Sequence, residues 1–258
     1  MKSIRKQLFG LEAKRRIKAQ RALPSFYRDL EILKRQRASS HERFELGRIH
    51  PCLDDKESDS GTMRGHYFHQ DLFVAGKIHE SNPSIHVDVG SRVDGFVAHV
   101  ASFRPIEVFD IRPGLDRIGN IRFKQADLMK PLDEKLLEYC DSLSCLHALE
   151  HFGLGRYGDT IDYEGHLKGL SNLGKILKKS GKLYLSVPIG PQRIEYNAHR
   201  VFALGYLTDL LKGDYRLDSF AYVDDRGDLV ENVTLTADLI ERNCGCEYGC
   251  GIFELTRS

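Results

Sequence analysis

The sequence predicts an α/β protein built on a doubly wound, mostly parallel sheet. From Ile85 onward, β-branched and apolar runs alternate with amphipathic segments, which is the pattern of strands joined by crossover helices. The first run ends in Asp88-Val89-Gly90, directly before a helix-like segment, and a second run ends on Asp110. Ligands of such sheets bind at the carboxyl ends of the strands, where these residues fall.

The composition is that of an ordinary globular protein. The chain has 258 residues, of which 41% are hydrophobic and 29% charged, enough for one large α/β domain with extra elements. No run approaches the ~20 apolar residues of a membrane span, and the N terminus lacks the apolar core of a secretory signal. A core of this size needs no disulfides, so the cysteines are expected as free thiols. We therefore expect a cytoplasmic protein, either free or peripheral to the membrane.

Charge divides the chain into a basic arm and an acidic body. Residues 1–48 hold 14 lysines and arginines against 5 acidic residues, whereas the remainder holds 24 against 32. We expect residues 1–50 to form a helical N-terminal arm, broken into two pieces near Pro24, and residues 51–258 to form the α/β domain. The arm either docks on an anionic membrane surface or a protein, or packs as a solvated helix. Its few aromatic residues argue against nucleic acid.

The α/β domain is predicted to begin with a helix over residues 65–78. Its polar start, with His66 and Tyr67, either lies over the ligand-binding end of the sheet or caps the helix beside core aromatics. Two strands near the end of the chain have no strong helix between them, which predicts an antiparallel pair closing one sheet edge. The strands are predicted at residues 85–89, 106–111, 121–126, 141–146, 182–187, 217–223 and 251–256, with further helices at 96–102, 163–178 and 201–211.

Several motifs at the strand ends resemble those of the class I S-adenosylmethionine-dependent methyltransferases, over roughly residues 65–258. Asp88-Val89-Gly90-Ser91 is similar to their first motif, which in its fuller form is acidic-x-Gly-x-Gly-x-Gly. Asp110 matches the acidic end of their second strand, and Asp127-Leu128 matches the residues that flank the adenine. His147-Ala148-Leu149-Glu150-His151 is similar to the segment after their fourth strand. Within the superfamily, the chain looks closest to an uncharacterised branch of methyltransferase-like domains of unknown function.

The resemblance implies a Rossmann-like fold, methyl transfer, and S-adenosyl-L-methionine as the cofactor. Asp110 would accept hydrogen bonds from the ribose diol, Asp127 would accept from the adenine amino group, and Leu128 would offer its backbone amide. Asp88 would contact the turn, or the methionine ammonium directly or through water. The alternatives are a structural turn carboxylate for Asp88 and a helix-capping one for Asp110. The full predicted cofactor set is Asp88, Gly90, Ser91, Asp110, Ile111, Asp127, Leu128 and His147.

Arg92 helps to distinguish between the cofactors that the chain could bind. A nicotinamide dinucleotide needs a second glycine where the backbone meets its pyrophosphate, and Arg92 stands at that position. S-adenosylmethionine has no phosphate, so Arg92 weakens the methyl-donor hypothesis less. Three alternatives stay open: an NAD(P)-dependent oxidoreductase, a non-catalytic Rossmann-like binding module that uses the basic arm, and a degenerate cofactor site marked by Arg92 and Asp94.

Methyl transfer is an in-line displacement, so the protein chiefly aligns donor and acceptor. A hydroxyl or amine acceptor also needs a base. His147 and His151 follow strand four and would share one face of a helix. We prefer His151 as the base; the alternative for either is a buried histidine bonded to backbone. Tyr196, Asn197 and His199 are the predicted substrate contacts, and the expected acceptor is a small molecule or a glycan, the latter on a loose similarity to enzymes of surface-polysaccharide pathways.

No metal site is predicted. The spacing of Cys244, Cys246 and Cys250 matches no four-ligand zinc pattern, and the nearest histidine in sequence is His199. The acidic residues at 224–228 are predicted to form an exposed turn, so they do not indicate a magnesium pocket.

Overall fold

The computed structural model describes the backbone of residues 2–42, 44–114 and 116–258, with side chains from residue 17 onward except that of residue 57. Contacts divide the chain into two compact units, Met1–Thr62 and Met63–Ser258. No described helix is both long enough and apolar enough to cross a membrane. The predicted boundary at residue 50 and the docking role of the arm stay predictions.

The first unit is built on one long helix, α1, which spans Lys2–Ser39 and continues through Pro24. The predicted break at Pro24 is therefore wrong. Proline lacks the amide that would bond to the Gln20 carbonyl, but Gln20 is exposed, so water can supply that hydrogen bond. Ser25 donates its hydroxyl to the Ala22 carbonyl at 3.0 Å, which keeps a hydrogen bond in this turn. The side chains of residues 2–16 in the predicted arm lie outside the described part.

After α1 the chain returns along the helix. It contains a short 3₁₀ turn, Asp55–Glu57. Ion pairs Lys18–Asp54, at 3.8 Å, and Lys56–Asp29 hold the returning segment against α1. All four side chains are substantially exposed, so each pair contributes less than about 1 kcal/mol.

In the described part of the second unit, the strands form a nine-stranded sheet and a two-stranded hairpin. The strands are β1 His86–Val89, β2 Ile106–Asp110, β3 Arg117–Ile118, β4 Ile121–Gln125, β5 Cys140–Leu146, β6 Leu177–Ile189, β7 Arg193–Glu195, β8 His199–Val201, β9 Tyr215–Val223, β10 Leu229–Val230 and β11 Gly249–Arg257. The large sheet runs in the order β10-β9-β11-β6-β5-β1-β2-β4-β3, and β7 pairs with β8.

The central strands β6, β5, β1, β2 and β4 are parallel. The chain begins in the middle at β1, moves outward through β2 and β4, and returns to β5 and β6 on the other side. This reversal creates a switch point between β1 and β5, beyond whose carboxyl ends ligands of open α/β sheets bind. β11 pairs antiparallel with β6 and β9. The predicted Rossmann-like, doubly wound class with a C-terminal antiparallel strand pair is confirmed.

Helices cover both faces of the sheet. They are α2 His66–Ser81, α3 Ala98–Ala101, α4 Gly165–Ile176, α5 Leu204–Leu211 and α6 Ala237–Glu241. On one face, α2 and α3 bury side chains such as Val74 and Val100. On the other face, α4 and α5 bury Leu173 and Leu207 with Val87 of β1. Each fully buried aliphatic side chain stabilises the fold by about 1.5–3 kcal/mol, so both layers hold the central strands in place.

Several element boundaries differ from the prediction; the helix predicted at 201–211, for example, begins at Leu204, because Val201 belongs to β8. A π-helical turn, Val93–Val97, precedes α3, because Gly95 leaves helical dihedral angles at φ −120°, ψ −115°. α4 ends at Ile176, and Ser180-Gly181 forms an irregularity inside β6 instead of stopping the helix, with Ser180 at φ 60°. The short strands β3, β7, β8 and β10 were not predicted, because two or three residues are too few to show alternation.

Candidate functional site

A cleft opens at the carboxyl ends of β1, β2, β4 and β5. It encloses about 540 Å³ of empty space, part of it open to solvent. The predicted cofactor residues that line this cleft are Gly90, Asp110, Ile111, Asp127, Leu128 and His147. The structure therefore brings together residues from four strand ends, as the sequence predicts. Asp88 and Ser91 lie elsewhere.

The turn after β1 depends on a glycine. Gly90 has φ 78°, a conformation that L-residues rarely adopt, and its amide donates to the Phe109 carbonyl at 2.9 Å. A Cβ at residue 90 would stand 2.8 Å from the Cβ of Ala148. The turn therefore excludes a side chain both by its backbone angles and by this contact.

Asp88 holds the turn from beneath. Its carboxylate accepts hydrogen bonds from the Ser91 amide at 3.1 Å, the Ser91 hydroxyl at 2.8 Å and the Ser144 hydroxyl at 2.6 Å. Since Ser144 gives its proton to Asp88, we infer that His86 Nε2–H donates to Ser144 at 3.2 Å and that His86 Nδ1 accepts from Ser142 at 2.8 Å. Burial raises the pKa of Asp88 to about 7, against these hydrogen bonds, and lowers the pKa of His86 to about 3. Asp88 is fully buried and reaches the cleft only through the turn.

Asp110 faces the cleft with a partner that the sequence analysis missed. Its carboxylate accepts from the Arg112 amide at 2.8 Å and from the guanidinium at 2.9 and 2.5 Å. The guanidinium also lies 4.6 Å from the centre of the Tyr157 ring, a cation–π contact. Because a carboxylate has about four lone-pair positions and Arg112 occupies three, Asp110 can accept about one further hydrogen bond from a ligand, and a second if the Arg112 guanidinium moves aside.

The loop after β4 forms the opposite wall. Asp127 accepts from the Met129 amide at 3.0 Å and has Lys130 Nζ at 3.6 Å. Asn172 of α4 donates to the carbonyls of Leu128 and Lys130, both at 2.8 Å. Asn172 therefore fixes the loop that presents Asp127 and Leu128 to the cleft.

A second cleft lies on the other side of the Gly90 turn, between α2 and the π-helical turn. Its lining includes Ser91, Asp71 and Gly95. Asp71 accepts from the Gln70 side chain at 3.0 Å, and burial raises the pKa of Asp71. Arg92 forms a two-point ion pair with Asp94, at 3.0 and 2.8 Å, and both side chains are exposed. The charge of Arg92 is thus matched locally by Asp94.

A third, more open cavity adjoins the first cleft. His147 and His151 line both spaces. Of the predicted substrate residues, Asn197 and His199 line this cavity, whereas Tyr196 is 90% exposed near the tip of the β7–β8 hairpin and outside the lining. The two histidines therefore stand where a ligand in the cleft would meet a molecule in the cavity.

Glu150 links the two histidines. His147 Nδ1 donates to its carboxylate at 2.7 Å, and His151 Nε2 lies 3.7 Å from the same oxygen. The predicted shared helical face is wrong, because only Leu149–His151 forms a 3₁₀ turn and His147 precedes it at φ 48°. The histidines converge through the carboxylate instead.

The two histidines differ in protonation. His151 Nδ1 donates to the Ala198 carbonyl at 2.6 Å, and burial lowers the pKa of His151 below 6.5. Burial also opposes charge on His147, but the neighbouring Cys250 and Glu150 outweigh it and raise the pKa of His147 well above 6.5. His151 is therefore the neutral histidine at pH 7, with Nε2 as its unprotonated nitrogen.

Arg200 holds the segment that carries these residues. Its buried guanidinium donates to the carbonyls of Phe152 at 2.6 Å, Tyr163 at 3.0 Å, Glu150 at 3.3 Å and Asp162 at 3.5 Å. The segment has no regular structure between 152 and 164 beyond turns, so these bonds take the place of a strand or helix ladder.

Comparison with known proteins gives a family for the chain and agrees with the fold described above. A family model described as "Caenorhabditis protein of unknown function, DUF268" matches residues 95–243, more than half of the chain. The chain belongs to the DUF268 family. The predicted placement in a domain-of-unknown-function branch is confirmed, and no curated protein matches this DUF268 chain.

Solved structures show the fold of this DUF268 protein. The 1,6-didemethyltoxoflavin-N1-methyltransferase of Burkholderia thailandensis, described with 1,6-didemethyltoxoflavin and S-adenosylhomocysteine bound, is similar over 73% of this chain and 78% of its own, at 14% identity and TM-score 0.51. A putative sarcosine dimethylglycine methyltransferase of Galdieria sulphuraria is similar over 74% and 86%, at 14% identity and TM-score 0.51. The [4+2]-cyclase SpnF is similar over 76% and 85%, at 12% identity and TM-score 0.52. The class I methyltransferase fold is confirmed, and SpnF shows why the fold alone does not decide the reaction.

Sequence reasoning missed several residues of the site. Arg112 could have been found, because it stands two positions after Asp110 and can pair with it. Asp71, Tyr157 and Arg200 come from separate segments, and no spacing in the sequence connects them with the strand ends.

Two glycines with left-handed backbones offer a matched test of the turn. Gly119 has φ 53° with nothing within 4 Å of a Cβ, whereas at Gly90 the Cβ would meet Ala148. We expect Gly119→Ala to lower the free energy of unfolding by about 1 kcal/mol, from backbone strain alone. Gly90→Ala should cost about 2–4 kcal/mol, because overpacking adds to the strain. Urea denaturation measures both, and equal losses would show that the contact with Ala148 has no effect.

Arg200→Lys should lower the free energy of unfolding by about 2–4 kcal/mol, because an ammonium cannot reach all four carbonyls and leaves buried acceptors unpaired. Arg216→Lys, on an exposed arginine of β9, is the control and should change it by less than about 0.5 kcal/mol. Hydrogen exchange of amides in residues 149–163 should rise in the first variant alone. A loss spread over the whole domain would contradict a local role.

Proposed function

We propose that this DUF268 protein is an S-adenosylmethionine-dependent methyltransferase that acts on a small-molecule or glycan acceptor. The charges of the residues that line the first and second clefts support this proposal. Carboxylates line them, namely Asp110, Asp127 and Asp71, and the two arginines beside them are paired with carboxylates. S-adenosylmethionine offers a sulfonium, an ammonium, a ribose diol and an adenine amino group, all of which suit carboxylates. A dinucleotide brings a pyrophosphate, which carboxylates repel.

The proposed cofactor spans the Gly90 turn. Asp110 accepts from the ribose hydroxyls, and Asp127 with the Leu128 amide receives the adenine. The methionine end lies beyond the turn, near Ser91 and Asp71. Asp88 acts indirectly in this proposal, through the hydrogen bonds that fix the turn.

His151 is the proposed general base, and His147 the alternative. An acceptor hydroxyl or amine in the third cavity gives its proton to His151 Nε2 while its lone pair attacks the methyl carbon. The carbon–sulfur bond breaks, and its electron pair stays on sulfur as S-adenosylhomocysteine. Glu150, 3.7 Å from Nε2, stabilises the resulting imidazolium. His147 is the weaker candidate, because its raised pKa favours the protonated form at neutral pH.

The lining of the third cavity supports a polar acceptor with several hydroxyls. Aromatic rings of Tyr67 and Tyr248 alternate there with the Asn197 amide, the His199 imidazole and the Arg156 guanidinium. Aromatic faces and planar polar groups together suit the apolar faces and hydroxyls of a sugar. Tyr196, on the exposed hairpin, extends this surface outward for a longer acceptor.

Calorimetric titration with S-adenosylhomocysteine tests the cofactor assignment. Asp110→Asn should weaken binding about 10- to 100-fold, because charge-assisted hydrogen bonds are worth about 1.5–3 kcal/mol. Arg112→Gln, which breaks the same ion pair but keeps the carboxylate, should weaken it less than about 5-fold. Equal losses in both variants would assign the effect to the ion pair and contradict ribose binding by Asp110.

The same titration separates the alternatives. Heat with NAD and none with S-adenosylhomocysteine would replace the proposal by an NAD(P)-dependent oxidoreductase. No heat with either, in a folded protein, would favour a non-catalytic module.

The base can be tested through pH. Because His151 must be neutral, kcat/KM should fall as the pH drops through a pKa that lies below 6.5. Release of S-adenosylhomocysteine, with pooled sugars as acceptors, measures the rate. His151→Gln should lower kcat about 10²- to 10⁴-fold, remove that acidic limb, and leave cofactor affinity within a few-fold. His79→Gln, on an exposed histidine of α2, should keep the wild-type profile. An unchanged limb in His151→Gln would exclude His151 as the base.

A further inference from the structure

We propose that His66, His147 and Cys250 form a binding site for a zinc-type transition-metal ion, whose remaining coordination position faces the third cavity. Binding of the ion stands on its own geometry. Its role, to hold the acceptor oxygen beside the methyl donor, rests on the proposed methyl transfer.

Three remote segments supply the ligands. His66 is the first residue of α2, His147 follows β5, and Cys250 lies in β11. One ligand atom from each lies within 4.8 Å of the other two. Tetrahedral zinc, with bonds of about 2.0–2.1 Å to nitrogen and 2.3 Å to sulfur, separates its ligand atoms by about 3.4–3.6 Å. The His66 and His147 rings are stacked, with 5.1 Å between centroids and 8° between planes, so the site needs a closure of about 1 Å together with rotation of the His66 ring out of this stack.

His147 presents an unused nitrogen. Its Nδ1 donates to Glu150, while its buried Nε2 has no hydrogen-bond partner among the described residues. Buried polar atoms without partners are rare and call for a ligand or another explanation. A carboxylate on the far nitrogen is also the usual partner of a metal-bound histidine, since it fixes the tautomer and the ring orientation. The Glu150–His147 pair therefore has the form of a metal ligand, and binding of the ion would displace the Nε2 proton to solvent.

Cys250 is fully buried on a rigid strand. Its sulfur lies 3.9 Å from both the Gln70 side-chain oxygen and the Gly251 carbonyl, which are weak contacts for a thiol. Apart from its interaction with His147, which is a co-ligand in this proposal, the sulfur therefore has no strong hydrogen bond to lose on binding a metal. Two imidazoles and one thiolate suit Zn²⁺ or Co²⁺, whereas Mg²⁺ and Ca²⁺ prefer oxygen ligands.

The remaining coordination position of the ion could take part in the proposed methyl transfer. Of the three ligands only His147 lines the third cavity, but Tyr248 of the same lining packs against His66 at 5.2 Å between ring centroids, so the ion would lie just behind the cavity wall. Zinc with three protein ligands keeps a position for water or substrate, and it lowers the pKa of a bound hydroxyl or water. His151, beside the same carboxylate, can take the released proton. The ion would thus prepare an acceptor oxygen for attack on the methyl carbon.

Titration of the reduced, metal-stripped full chain with Co²⁺ tests the site. We expect one equivalent to give a thiolate-to-cobalt charge-transfer band and the intense visible bands of tetrahedral cobalt, both displaced by Zn²⁺ and unaffected by Mg²⁺. Cys250→Ser should abolish the charge-transfer band and weaken binding by about 100-fold or more, and His66→Gln should weaken it at least about 10-fold. Cys246→Ser, on a buried cysteine of the preceding segment, is the matched control and should keep both band and affinity.

The outcomes that overturn the site are specific. No charge-transfer band in the wild-type chain, or equal loss in Cys246→Ser and Cys250→Ser, would reject Cys250 as a ligand. Circular dichroism checks that each variant is folded, and if Cys250→Ser is not, the wild-type spectrum and His66→Gln still decide. S-adenosylhomocysteine is titrated separately into the stripped protein. Cobalt binding without cofactor binding would reject the methyltransferase alone, and the reverse would reject the metal alone.

Discussion

The left-handed turn at Gly90 is the constraint on which the ligand site depends. Residue 90 must lack a Cβ because Ala148 closes the space beside it, and Asp88 holds the turn by accepting three hydrogen bonds from Ser91 and Ser144. Ser144 lies in β5 and Ala148 just beyond it, so the same contacts tie β1 to β5 at the switch point. At this turn the cleft is therefore lined by the backbone of Gly90 and the small side chain of Ala148. Asp110, held by Arg112 at the next strand end, lines the same cleft.

Glu150 gives the imidazoles of His147 and His151 different pKa values. It accepts a hydrogen bond from His147 and stands farther from His151, which is held by a backbone carbonyl, so the pKa of His147 is raised and that of His151 is lowered. This division depends on Arg200, which fixes the surrounding segment through carbonyls alone. The general fold is shared with enzymes of other chemistry, as the similarity to SpnF shows. The fold alone therefore does not decide the function of this protein, which depends on the residues of the site.

The sequence predicts those features of the molecule that depend on residues close together in the chain. Strand ends follow directly from apolar runs, so the positions of Asp110 and Asp127 after their strands could be predicted, and both residues line the cleft. The contacts of Asp88 could not be predicted in this way, because Asp88 is buried against β5, whose Ser144 lies more than fifty residues away in the chain. In the sequence, Cys250 was considered as a metal ligand only together with Cys244 and Cys246. In the structure, the pairing of β11 with β6 places Cys250 beside His147. Long-range pairing of this kind has no signature in residue spacing.

The position of β11 has a consequence for folding during synthesis. β11 lies between β6 and β9, so β9 and β10 join the main sheet only through residues 249–257, which are made after them. Until those residues leave the ribosome, β6 exposes a long unpaired edge and β9 has no partner on that side, an arrangement prone to intermolecular pairing. Tyr248, which lines the third cavity, directly precedes this segment, so the cavity is completed together with the closing of this edge. A nascent chain stalled before Tyr248 would thus be aggregation-prone and would lack part of the wall of the third cavity.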